Sequence, residues 1–107
     1  MGAFDPVPFD VATARRAADA CRSAAVRVDE VTGQRRRLAS SAQHNWRGPH
    51  RDAFDWELAE LSLRHDRVAA DLRTLAATID AAISRAAAED RHRAEAAAAT
   101  AATTGSP

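Results

Sequence analysis

His44 and His50 bracket the stretch HNWRGPH, the first place along the chain where side chains could do chemistry together. Two imidazoles can share a transition metal, but no cysteine lies near and the spacing is not the HExxH pattern that sets two ligands on one helical face. Surface histidines and no metal site are therefore expected. His65 falls inside an apolar repeat, where a polar side chain sets register or pairs across an interface at some cost in stability. His92 is expected to be exposed, and Cys21, the one cysteine, to be a small side chain on an apolar stripe with no internal disulfide partner. The three arginines of QRRRLA point about 100° apart on a helix and so form no single basic face. No glycine-rich phosphate loop, nucleophile elbow or paired carboxylate in an apolar pocket is visible, so neither catalysis nor a cofactor is expected.

The elements that must carry these side chains follow from composition. The 107 residues hold 15 arginines and no lysine against 15 acids, so no net field draws nucleic acid or an anionic membrane. Alanine supplies 28 residues, whereas Leu, Ile, Val and Phe together supply only 17. That fraction is low for an independent core, although it suits helices well. An all-α chain with a thin apolar face is the expectation. No apolar run approaches the 18 or so residues of a membrane span, and export, if it occurs, would not use the general secretory signal.

Residues 1–9, with two prolines and two phenylalanines, read as an extended lead-in, and Asp10 as the N-cap of a first helix over 10–46. Val11, Ala14, Ala18, Cys21, Ala25 and Val28 recur at alternating intervals of three and four; the stripe then continues through Val31, Leu38 and Ala42 after one phase slip. Gly33 could bend or break the helix there. A second helix, 49–95, carries Phe54, Leu58, Leu61, His65, Val68, Leu72, Leu75 and Ile79, followed by Ala82 and Ala86, as a heptad seam. The Ala/Thr-rich tail, 96–107, has nothing large to pack and should fray into disorder.

The turn over 46–49 has its own logic. Gly48 precedes a proline and so leaves the right-handed helical region, and Pro49 fits the first position of the next helix. Asp52 and Asp55 suit the positive start of helix two, and Arg35, Arg36 and Arg37 approach the negative end of helix one. Trp46, four residues beyond Ala42, can extend the first stripe to the mouth of the hairpin and pack near Ala53, Phe54 and Trp56. Two antiparallel helices bury one stripe each and leave an apolar flank wet. A second hairpin would complete a four-helix bundle.

Two long helices joined by Trp46-Arg47-Gly48 and followed by PHRDAFDWELAEL resemble the small WXG-motif family of type VII secretion substrates, typified by the early secreted antigenic target of mycobacteria. The resemblance runs from Asp10 to about Glu95. It implies hairpins that pair as homodimers or heterodimers and leave the cell through an ATPase-driven apparatus without a cleaved signal, cytoplasmic before export and secreted or envelope-associated after it. It also implies a composite export signal, in which the Trp-x-Gly turn lies beside a C-terminal Tyr-x-x-x-Asp/Glu motif of the partner. Counted from Trp46, the family's tyrosine position falls on Ala86 and its acid on Asp90. The ring is missing. A heterodimer is then expected, with Trp46 and Gly48 from this chain and the tyrosine motif from a WXG-type partner. Two other readings stand beside it: a structural homodimer that is not exported, and an amphipathic module for membrane or nucleic acid, which the neutral charge does not favour.

Overall fold

A computed structural model of the chain describes residues 9–104. Two α-helices account for nearly all of them: α1, Val11–Gln43, and α2, Pro49–Thr104, of 33 and 56 residues. They pack against each other along their length as an antiparallel hairpin one layer thick, 91 × 25 × 16 Å overall. Most of the lead-in expected over 1–9 lies outside the described residues.

Local chemistry sets the start of α1. Asp10 holds an extended backbone and accepts the Thr13 N–H at 3.0 Å and the Thr13 hydroxyl at 2.7 Å, satisfying one of the free donors of the first turn. These two bonds hold the Asp10 carboxyl below its ordinary titration range. At the other end the helix stops at Gln43 and not at Trp46, because the chain tightens: the His44 N–H turns back to the Ser41 carbonyl at 3.5 Å and the Trp46 N–H to that of Gln43 at 3.2 Å. Arg35, Arg36 and Arg37 consequently lie more than a turn from the end, and the last turn of α1 carries no basic residue.

Three expectations are corrected. Gly33 does not break α1, which runs unbroken from Val11 to Gln43; the neighbouring turns carry one glycine at a cost of about 1 kcal/mol. The phase slip is also absent. The buried residues of α1 are Ala18, Ala25, Thr32 and Ala39, one every seventh position, while Val31 and Leu38 face solvent, Leu38 being 73% exposed. Hydropathy alone favours the two large aliphatics, but the helix keeps its phase by burying a threonine whose hydroxyl bonds the Val28 carbonyl at 3.0 Å. Finally, α2 does not end near Glu95 but continues to Thr104, since alanine is the strongest helix former and needs no packing to extend an existing helix.

The overhang can be placed from the register. Arg22 pairs with Asp80, and α1 begins eleven residues before Arg22, so α2 passes the end of α1 near Arg91 and its last turns stand alone.

Candidate docking faces of the hairpin

The contact between the helices is a seam of small residues. On α2 the buried positions are Ser62, Ala69 and Ala76, again seven apart, opposite Ala39, Thr32 and Ala25 of α1. Writing these as a positions of a heptad, Ala14, Cys21, Val28 and Arg35 on α1 and Leu58, His65, Leu72, Ile79 and Ala86 on α2 are half-buried d positions, while Ala42, the last d position of α1, is exposed. Small a residues let the axes approach closely, but they bury little area. Among the described residues no large side chain is fully buried.

The two flanks of this seam differ in chemistry. Along one, the e positions of both helices form an ion-pair ladder: Arg22–Asp80 at 2.8 Å, Asp29–Arg73 at 2.5 Å and Arg36–Asp66 at 3.8 Å. Each rung lies seven residues from the next on both helices, and the polarity alternates. A one-heptad slip would set like charges together, so the ladder fixes register more than it adds energy, exposed pairs being worth roughly 0–1 kcal/mol each. Arg22, bonded first by Asp19 and then by Asp80, is held charged more firmly than a free arginine. Reading charges along single helices could not reveal this ladder, because its partners lie on different helices.

The other flank is apolar at the g positions from Ala17 to Leu38 on α1 and from Phe54 to Ala82 on α2, and turns polar only at Glu89. On α1 these are Ala17, Ala24, Val31 and Leu38; on α2, Phe54, Leu61, Val68, Leu75 and Ala82. Val31, Leu38, Leu61, Val68 and Leu75 are all exposed. A shallow groove of about 430 Å³ between Ala24, Val28, Val31, His65 and Val68, with Arg27 at its edge, runs along this flank. Here the expected seam of α2 divides. Leu58, His65, Leu72 and Ile79 turn toward α1, while Leu61, Val68 and Leu75 are left on the open flank and Phe54 is half-buried at the turn. His65 meets Arg35 across the seam, its Nδ1 2.7 Å from Arg35 Nη2.

The turn joins these faces. Trp46 is half-buried and its ring meets that of Phe54 at a centroid distance of 5.3 Å and an angle of 50°, a tilted aromatic pair. Gly48 has φ 114°, where a side chain would be strained. Arg51 closes the loop by donating from Nη1 to the Trp46 carbonyl at 2.9 Å and that of Gln43 at 3.3 Å, and its Nε lies 3.3 Å from Asp55. Gln43 also donates to Asp55. Carbonyls at the end of α1 are thus met by an arginine of α2, a cap across the turn that no local pattern announces. Trp56 stands apart from the Trp46–Phe54 pair and is 67% exposed. At the far end Ala86 is half-buried, and Asp90 is exposed and 3.6 Å from Arg93, a long way from Trp46 along the hairpin.

Among the described residues no group of histidine, cysteine and acidic side chains could hold a metal, and no helix is long and apolar enough to cross a membrane. No family model, characterised protein or solved structure matches the chain.

Proposed function

We propose that this chain is a non-enzymatic interaction protein, one half of a four-helix bundle exported as a heterodimer by a type VII secretion apparatus. The observation that carries the reading is the asymmetry of the hairpin: charged pairs close one flank, whereas the g positions of the other are apolar from Ala17 to Leu38 and from Phe54 to Ala82. Contiguous exposed apolar surface of this kind marks a protein contact, and a second hairpin offers a surface of matching length and curvature. The resemblance of Trp46-Arg47-Gly48 to the WXG motif supports the export route, with a secretion ATPase as the second partner. Ala86 at the family's tyrosine position supports a heterodimer, in which the partner supplies Tyr-x-x-x-Asp/Glu beside Trp46 and Gly48.

Native purification from culture filtrate and from cells tests this. The chain is expected in the filtrate together with a second hairpin carrying the tyrosine motif, and Trp46→Ala is expected to retain the chain in the cells while the two hairpins still associate. Recovery only from the cytosol, in cells whose secretion apparatus is active, would overturn the export reading.

A further inference from the structure

A second apolar patch lies near the turn, away from the g flank. Trp56 and Leu63 are two turns apart on α2, with Ala59 between them, and are 67% and 57% exposed. Beside them runs an open groove of about 450 Å³ between Arg36 on α1 and Ala59, Ser62, Leu63 and Asp66 on α2. Two carboxylates bracket the indole: Asp52 one turn before Trp56 and Glu60 one turn after it. Neither has an ion-pair partner among the described residues. Asp66, at the end of the groove, holds Arg36 only at 3.8 Å.

An exposed tryptophan between two unpaired acids is built to receive a cation. A guanidinium laid on the indole face gains from the ring's quadrupole while its N–H groups reach carboxylates on either side. The groove beside it, with Ala59 and Leu63 on its walls, has room for aliphatic side chains at helical spacing. We infer that the Trp56–Leu63 face docks an amphipathic helix of basic character, with an arginine over Trp56 and leucines along the groove. This face is not the g flank, so a hairpin covering Leu61, Val68 and Leu75 leaves it free, and the two contacts can be held at once.

Calorimetric titration tests the inference with a designed amphipathic peptide of leucine, alanine and arginine, and with a counterpart in which each arginine becomes glutamate. The arginine peptide should bind and the glutamate peptide should not. Asp52→Asn with Glu60→Gln should weaken binding on the order of tenfold, and Trp56→Ala more, as for other exposed aromatic anchors. Because Trp56 is mostly exposed, these variants should keep the helical circular dichroism of the parent. Leu61→Glu, on the other flank, should leave peptide affinity unchanged. Equal binding of both peptides, binding of neither, or full affinity in Trp56→Ala would overturn the inference. So would a blue shift of the tryptophan emission on phosphatidylcholine vesicles, absent in Trp56→Ala, in place of peptide binding, which would assign the patch to a membrane surface.

Discussion

Arg35 Nη2 lies 2.7 Å from His65 Nδ1, at a d position of each helix. A guanidinium can only donate, so Nδ1 accepts and the proton of the neutral ring sits on Nε2. Arg35 Nη1, buried close by, has no hydrogen-bond partner among the described residues. The pair is thus a charged joint in a seam otherwise made of uncharged side chains, half satisfied from within the chain.

Removing His65 alone should be costly, because Arg35 then loses its acceptor: His65→Ala is expected to lower stability by about 1–3 kcal/mol. Replacing both, Arg35→Met with His65→Leu, should instead raise it by about 1 kcal/mol, since an apolar pair suits the d layer and leaves nothing unpaired. Thermal melts of the two variants measure the difference in sign, and nitrogen-15 spectra of His65 should show the Nε2–H tautomer.

The seam should tolerate no added volume. Ala25 is fully buried and Ala76 is 1% exposed, and larger groups there must push the axes apart. Ala25→Leu should cost about 1–3 kcal/mol or more despite its greater hydrophobicity. Val26→Leu, one residue away on the exposed face, should change stability by less than about 0.5 kcal/mol. Urea unfolding of both separates packing from hydropathy.

Gly33 and Gly48 should answer substitution in opposite directions. A Cβ at Gly33 would meet only the end of the Arg37 side chain, at 3.4 Å, so Gly33→Ala should stabilise by about 0.5–1 kcal/mol. At Gly48 there is open space, but φ is +114°. Gly48→Ala should destabilise by about 1–3 kcal/mol through backbone strain alone.

Asp10 gives a pH dependence whose sign is fixed by its cap. Its bonds from Thr13 lower the carboxyl's pKa in the folded chain. A depressed folded value means that the cap stabilises above the unfolded carboxylate's pKa, about 3.9, and that this contribution disappears as pH falls through the lower folded value. Asp10→Asn should flatten that part of the acid melting profile while leaving the neutral-pH helix content nearly unchanged. A carbon-detected titration of the Asp10 carboxyl reads the shift directly.

How much of this was legible in the sequence depends on which signal each feature left. The two helices, the Asp10 cap, Pro49 at the head of α2 and the antiparallel turn all follow from local spacing and residue type. Large aliphatics misled the reading of the seam. Leu61, Val68 and Leu75 hold a heptad register as well as Leu58, Leu72 and Ile79 do, and only the fold shows that the first set is left outside while Ala69, Ala76 and Ser62 go in. The same bias toward bulk produced the spurious slip from Val28 to Val31 and Leu38, when Thr32 and Ala39 keep the phase. The charge ladder was invisible because Arg22, Asp29 and Arg36 find partners on the other helix, at separations that no pattern within one helix registers.

The central claim is that another chain covers the flank formed by Val31, Leu38, Leu61, Val68 and Leu75. Sedimentation of the protein purified natively from its host measures this most directly, alongside the same preparation carrying Leu61→Glu and Val68→Glu. The account predicts a two-chain particle for the unaltered protein and dissociation of that particle in the doubly substituted one. A folded, single-chain species at micromolar concentration, sedimenting alike with and without the two glutamates, would contradict it.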